Sequence, residues 1–438
     1  MKIFDTKYLK ELFKLALPII MGNLGIVLLG AADCLVAGRY STQALASVSI
    51  ANAIHSIVLM LGIGLTSGVS PLLSNKRGEK VSAKKYFFPS IRFALLLSVL
   101  LMAITFSYIP LLDNLGFEPS LLKDIKAYTF VVGLTIFAVE LHVVLKEFLQ
   151  AYEIVFIPNL LTILSVFLNL FLNYAFVFGK FGFPELGVVG LAVATGIVRI
   201  TNSSVLLGFC LYNFKFKNYK EKDYYHQLVK IGLPISAATM IEFFAFNYIA
   251  IVLGKISGAY AAAHNIILTF INVSFMIPFS ISNALAVKVG YTNGAKNYSE
   301  MFKYIKNALG IVFLFMLLAS ICFILFTKPL VSVFTTDKNL LKLIIPIVPV
   351  IALFQLTDGL QATLGGIFRG LKKTQLVMVA NFMTYLVVGI SLGTYLGIYK
   401  KLYLLGCWCA ICVSSFLLST ILITYLIKTL KPLIIKKV

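Results

Sequence analysis

Apolar residues run along almost the whole chain in stretches of about 20 or more, interrupted by short polar clusters. A helix needs about 20 apolar residues to cross the hydrocarbon core of a bilayer. The pattern therefore predicts twelve membrane-crossing helices. They fall near 13–37, 47–74, 87–110, 122–145, 156–178, 187–212, 228–253, 259–287, 304–327, 340–367, 374–397 and 403–427. The longest polar connection, FKFKNYKEKDYYHQ from Phe214 to Gln227, lies between the sixth and seventh spans. It divides the chain into an N-terminal lobe (1–213), a cytoplasmic linker (214–227) and a C-terminal lobe (228–438).

The two halves repeat each other. LFKLALPI (Leu12–Ile19) matches LVKIGLPI (Leu228–Ile235) at an offset of 216. The same offset pairs Pro18 with Pro234, Gly38 with Gly254 and Gly78 with Gly294. Further on, Phe148 pairs with Phe368 at an offset of 220. Both repeats begin on the same side of the membrane, so the expected relation is a pseudo-twofold along the membrane normal. Two six-helix lobes with a cleft between them suit alternating access better than a channel or a structural role. Pro18 and Pro234 read either as helix-start punctuation or as kink points deeper in the helix.

Composition agrees with a membrane chain. Sixty per cent of the 438 residues are hydrophobic and 13% are charged, and mean hydropathy is +0.95. A soluble domain is usually about 45–50% apolar and about 25% charged. The net charge of +21 comes from loops between apolar runs. It forms no basic domain or aromatic-interleaved basic motif, so nucleic acid is not the expected partner. Of the 38 Lys and Arg, 26 fall on one side of the predicted spans and 10 on the other, with Arg92 and Arg199 near or inside spans. The richer side holds both termini and the central loop, which puts them in the cytoplasm. The start, MKIFDTKYLKELFK, is charged and amphipathic and does not read as a cleavable signal peptide. All six cysteines lie in apolar runs. Cys407, Cys409 and Cys412 form C-x-C-x-x-C, but no His or acidic partner is near in sequence, and they read as small buried hydrophobes.

Ionisable residues at membrane depth are expensive and usually face a cavity. Three carboxylates stand out: Asp33 in the first span, Glu242 in the seventh and Asp358 in the tenth. None has a Lys or Arg within one helical turn, so each must meet water, an ion or another helix. Asp33 also reads as a residue near enough to the outer interface to be solvated. Gln355, Asp358 and Gln361 run down one face of span ten at helical spacing. Thr239 shares a face with Glu242, Asn265 is aligned with Thr269 and Asn272, Asn169 is i, i+4 to Asn173, and span six offers Thr195. Asn and Thr in membrane helices also serve as plain interhelical hydrogen bonds.

No enzyme constellation emerges. The four His are dispersed, no phosphate-binding loop of the Walker type is present, and Glu140 and His142 point to different faces. No cofactor is expected.

At these residues the chain resembles the multidrug and toxic compound extrusion (MATE) family. The resemblance rests on ADCLVAGRYSTQALASVSIAN, LNLFLNYAFVFGKFGFPELGVVGLAVAT, KIGLPISAATMIEF, AAHNIILTF with MIPFSISNALAVKVG, and the run from FTTDKNLL to FRGLKKT. It implies an all-α fold of twelve helices in two lobes that exports cationic, amphipathic compounds in exchange for sodium ions or protons. It maps a cation site onto Asp33, Asn169, Asn173 and Thr195, and an acidic coupling site onto Glu242 and Asp358 with Asp337 near. Gln355 and Asn265 join the second set as polar neighbours. There are departures. Phe354 stands where some members carry an aromatic hydroxyl, and Asn173 stands where some carry an acid. Sodium versus proton stays open. The resemblance places the chain in a prokaryotic inner membrane, with lipid around it and no obligate protein partner.

The chemistry is coherent without the family. A carboxylate in a low-dielectric cavity has its charged form disfavoured. It then binds a proton, a sodium ion or an organic cation, but not all together, and that competition couples import to export. An inward charge gains about 2.3 kcal/mol per 100 mV of membrane potential. The 36 Phe offer cation–π surface, though most should face lipid. A flippase for a lipid-linked saccharide or cell-wall precursor, from the same superfamily, is the alternative. It would call for a cavity rich in Arg and Lys, whereas the intramembrane charges are mainly acidic.

Overall fold

The structure, a computed structural model, describes residues 5–216, 222–335 and 337–435. Among them there is no strand. Backbone groups in lipid must be satisfied within the segment, and helices do this from their own sequence. The chain opens with α1 (Thr6–Tyr40), then α2 (Thr42–Thr66) extended by α3 (Val69–Gly78), and α4 (Phe87–Tyr108). Next come α5 (Pro119–Leu134), α6 (Ile136–Ala151), α7 (Phe156–Val177) and α8 (Gly187–Asn213). The second half runs α9 (Lys222–Ile256), α10 (Gly258–Gly294), α11 (Tyr298–Ser332), a short α12 (Lys338–Ile344) and α13 (Val348–Gly370). It closes with α14 (Thr374–Asn381), α15 (Ser391–Thr394) and α16 (Tyr403–Ile435), where π-helical stretches at Phe382–Ile390 and Tyr395–Tyr399 flank α15. Eleven of the resulting helices are long and apolar enough to cross a membrane. The pair α5 and α6, bent by 45° at its break, makes the twelfth.

Matching chemistry starts matching helices. Ser41 caps α2 by accepting from Ala44 N at 2.9 Å, and Ser257, 216 residues later, caps α10 by accepting from Ala259 N at 3.3 Å. Pro18 and Pro234 lie well inside α1 and α9 rather than at their starts. They are at depths where proline removes a backbone hydrogen bond.

The expected linker is shorter than its polar composition suggested. Residues 217–221 are outside the described set, but α9 already begins at Lys222. Tyr224 is buried, stacks on Tyr86 at 4.9 Å and shares a 2.6 Å hydrogen bond with Ser90. At the end of the preceding stretch, Phe216 stacks on Phe87 at 3.7 Å. Aromatic burial, not chain polarity, fixes where the helix starts.

The chain forms two compact units. One comprises 1–16 with 237–438, the other 17–236, so the boundaries fall beside the two prolines and within α1 and α9. In the first unit the start of α1 is fastened to α10 and α11. Lys288 Nζ donates to Glu11 at 3.2 Å, the Tyr304 hydroxyl donates to the same carboxylate, and Asn307 accepts from Asp5 N at 2.9 Å. In the second unit the start of α9 completes an apolar cluster with Leu228 and Ile231 against Leu72, Phe87 and Phe148. Each unit has a central helix. In one, α6 packs on α2, α4 and α8; in the other, α13 packs on α10, α11 and α16.

Small residues set the closest approaches, as expected where lipid supplies no hydrophobic drive between helices. Gly389, Gly393 and Gly397 line one side of the π-helical span and meet Ser414, Ala410 and Cys407 of α16. Cys407 is thus a packing residue over a glycine. Gly366 of α13 lies so close to α10 that an added Cβ would stand 2.4 Å from the Ser282 carbonyl oxygen, whereas at Gly365 nothing lies within 4 Å. Gly366→Ala is expected to destabilise by about 1–3 kcal/mol through overpacking. Gly365→Ala should be neutral or stabilising by up to about 1 kcal/mol from helix propensity. Thermal unfolding of the two variants in detergent checks this, and equal midpoints would contradict it.

Candidate functional site

Within the 17–236 unit, four predicted residues meet. Asp33 comes from α1, Asn169 and Asn173 from successive turns of α7, and Thr195 from α8. The i, i+4 spacing puts both asparagines on one face of α7. Asn173 Nδ2 donates to Asp33 Oδ1 at 2.7 Å and to Asn169 Oδ1 at 3.0 Å. Thr195 Oγ1 donates to Asp33 Oδ2 at 3.2 Å. Asp33 is only 6% exposed, so it lies in the interior of the unit and not at a solvated rim. Asn173 Oδ1 has no hydrogen-bond partner. The four side chains together carry five oxygens: both of Asp33, the amide oxygens of Asn169 and Asn173, and the Thr195 hydroxyl.

A cation left out of the sequence count stands beside this cluster. Arg199, one turn beyond Thr195 on α8, acts electrostatically on Asp33. Its Nη1 donates to Thr135 Oγ1 at 3.0 Å and to the Val132 carbonyl at 3.3 Å. Those two groups belong to the break between α5 and α6, where the α-helical ladder is interrupted. The guanidinium, with several fixed donors, both holds the bend and offsets the carboxylate. The sequence signal is the i, i+4 spacing from Thr195, obscured because a lone basic residue inside a span shows no partner on its own helix.

Within the 237–438 unit, a second cluster joins Glu242 of α9, Asp358 and Gln361 of α13, and Tyr385 of the π-helical span. Gln361 Nε2 donates to Asp358 Oδ1 at 2.8 Å and to Glu242 Oε1 at 3.0 Å. The Tyr385 hydroxyl donates to Gln361 Oε1 at 3.1 Å. Asp358 and Tyr385 are buried, and Glu242 is half-buried. One amide thus ties two carboxyl groups that, among the described residues, no Lys or Arg neutralises. Phe354, lacking a hydroxyl, is fully buried with Phe246 and Trp408 at 6.1 and 5.7 Å. Tyr385 brings an aromatic hydroxyl to the acids from a different helix. Sequence reasoning misses it because helical spacing assigns faces in α-helices only, and π-helical turns shift the register.

Three predicted members of this second set are not part of the cluster. Asp337 is exposed and caps α12, accepting from Asn339 N at 2.8 Å. An Asp just before a helix has this local use for its carboxylate, a use its charge alone does not suggest. Asn265 lies on an exposed face of α10 with Thr269 and Asn272. Gln355 is buried on α13, but its Oε1 has no partner and it makes no bond to either acid.

The arrangement fits comparison with known proteins. The MatE family model matches residues 18–175 and again 234–395, once in each half. The multidrug resistance protein NorM of Photobacterium profundum is 27% identical over 400 residues, covering 89% of this chain and 87% of that protein. A probable multidrug resistance protein NorM of Thermotoga maritima is 29% identical over 428 residues, covering 94% and 90%. Among solved structures, a eukaryotic MATE transporter superposes with a TM-score of 0.87 at 19% identity over 98% of both chains. A MATE protein in a bent conformation gives 0.88 at 19% identity over 97% of this chain and 96% of the other. At that identity the structures speak for the fold alone. The double family match decides the matter: the chain belongs to the MatE family, whose members are membrane transporters and not enzymes.

Proposed function

We propose that this protein is a secondary active exporter of amphipathic organic cations, driven by inward movement of a monovalent cation, with sodium at the Asp33 cluster. The observation that carries the reading is the pair of buried, acid-centred clusters, one in each unit. The Asp33 cluster offers five oxygens, the ligand type that hard cations favour. An oxygen set of this kind is richer than a single proton requires. The Glu242–Asp358 cluster offers two carboxylates without a basic partner, which favours a positive occupant: a proton or the charged end of an organic cation. Competition of cargo and coupling ion for uncompensated acid links the two fluxes, and the membrane potential adds about 2.3 kcal/mol per 100 mV for each inward charge. The NorM relatives are described as multidrug resistance proteins, which supports export of several small molecules.

Transport of a fluorescent organic cation in proteoliposomes tests this, with an imposed sodium gradient run against an imposed pH gradient. Export driven by sodium is the expected result. Export under the pH gradient alone would overturn the ion assignment and keep the exchange. Failure of both gradients, with translocation of a lipid-linked oligosaccharide in the same vesicles, would replace the reading.

A further inference from the structure

A fourth carboxylate lies deep in the 17–236 unit and belongs to neither cluster. Glu140 stands in the first turns of α6, just past the break at Thr135, and is 0% exposed. Neither of its oxygens has a hydrogen-bond partner. It occupies a hollow that a glycine leaves open: a Cβ on Gly62 of α2 would stand 2.1 Å from Glu140 Oε1 and 2.5 Å from Leu101 Cδ1 of α4. The polar group beside it is Thr66, whose hydroxyl donates instead to the Gly62 and Ile63 carbonyls at 3.0 and 3.2 Å. It is not the repeat image of Asp358. The offset of 220 that pairs Phe148 with Phe368 sets Ala138 against Asp358, on another side of the helix.

Several ionisable groups on the surrounding elements are engaged elsewhere. Arg199 of α8 serves Thr135 and Asp33, Tyr128 of α5 donates to Asn52, and Arg77 of α3 donates to the Ala151 carbonyl. The same elements also carry His55 of α2, Arg92 and Tyr108 of α4, Lys123, Asp124 and Lys126 of α5, and His142, Lys146 and Glu147 of α6 itself. Among the described residues none of these acts electrostatically on Glu140. An ionised carboxylate in such a place, with no counter-charge and only the Thr66 hydroxyl beside it, is costly, and the group takes up a proton instead. A sodium ion fits no better, because a hard cation needs a shell of several oxygens, and here one hydroxyl stands beside the carboxyl.

We propose that Glu140 is a proton-binding site of the N-terminal half, separate from the Asp33 cluster, loaded while the α2–α4–α6 seam is closed. The bound proton sits on a carboxyl oxygen, and it leaves to water only when the seam opens.

Infrared absorption of the purified full chain in lipid nanodiscs at neutral pH tests this without any transport, so its outcome is independent of the export reading. The wild type is expected to show the C=O stretch of a protonated carboxyl. Glu140→Gln should lose that component, whereas Asp33→Asn should retain it. An unchanged spectrum in Glu140→Gln overturns the proposal. Should that variant fail to fold, the combined variant Asp33→Asn, Glu242→Gln, Asp358→Asn leaves Glu140 as the buried carboxyl. Persistence of the band there supports the proposal, and its absence overturns it.

Discussion

Asp358→Asn is expected to abolish gradient-driven export in proteoliposomes while leaving the protein folded. The substitution keeps the shape of the side chain and its ability to meet Gln361, so the hydrogen bond at 2.8 Å has a replacement acceptor. What it removes is one of two carboxyl groups tied to the same amide. A cation held in a desolvated site loses on the order of 3–5 kcal/mol when its charged partner is neutralised, which is about a 10²- to 10³-fold loss of affinity. Glu242→Gln should be milder, because Glu242 is half-buried and Asp358 is buried. Binding of a fluorescent cation, measured with transport, separates loss of the site from loss of coupling. Wild-type affinity in Asp358→Asn would remove the 237–438 cluster from the cargo pathway.

Arg199→Ala should give the largest drop in unfolding temperature among substitutions near either cluster. Hydrogen bonds from a charged donor contribute about 1.5–3 kcal/mol each, and Arg199 makes two at the α5–α6 break. Its removal also leaves Asp33 without the one positive charge that acts on it. Arg199→Lys keeps that charge but loses the guanidinium Nη1 that donates to both oxygens, so an intermediate drop is expected. Asp33→Asn in the Arg199→Ala background should restore part of the loss, because no carboxylate is then stranded. The non-additivity expected for such neighbours is about 0.5–3 kcal/mol. Strict additivity of the two substitutions would show that Arg199 serves the bend alone.

The helical fold is legible in the chain because it rests on apolar runs of membrane length; the Asp33 cluster as a set is implied by the family resemblance, and α-helical spacing supplies only its pairs within one helix. Asn169 and Asn173 are the plainest case, since i, i+4 spacing fixes a shared face on any α-helix. What escapes depends on departures from that regularity. Tyr385 reaches the acids from a π-helical stretch, where α-helical spacing gives the wrong face. Arg199 reads as an isolated charge inside a span, yet it answers a helix break that composition alone does not reveal. Asp337 is drawn to the cation chemistry by its charge, while its carboxylate caps the next helix. Glu140 looks incidental for lack of a partner on its own helix. Its hollow is made by a glycine on α2, a relation that sequence spacing cannot express.

The exchange of helix starts between the two compact units bears on where this architecture came from. The first turns of α1 complete the unit built from the second repeat, and those of α9 complete the unit built from the first. Without the first turns of α9, the unit built from the first repeat would lose the ring that stacks on Tyr86 and the apolar contacts of Leu228 and Ile231. Two identical halves trading these turns would have been a swapped homodimer, a low-cost route to association. Cutting the polypeptide between the halves should therefore yield fragments that need each other to fold.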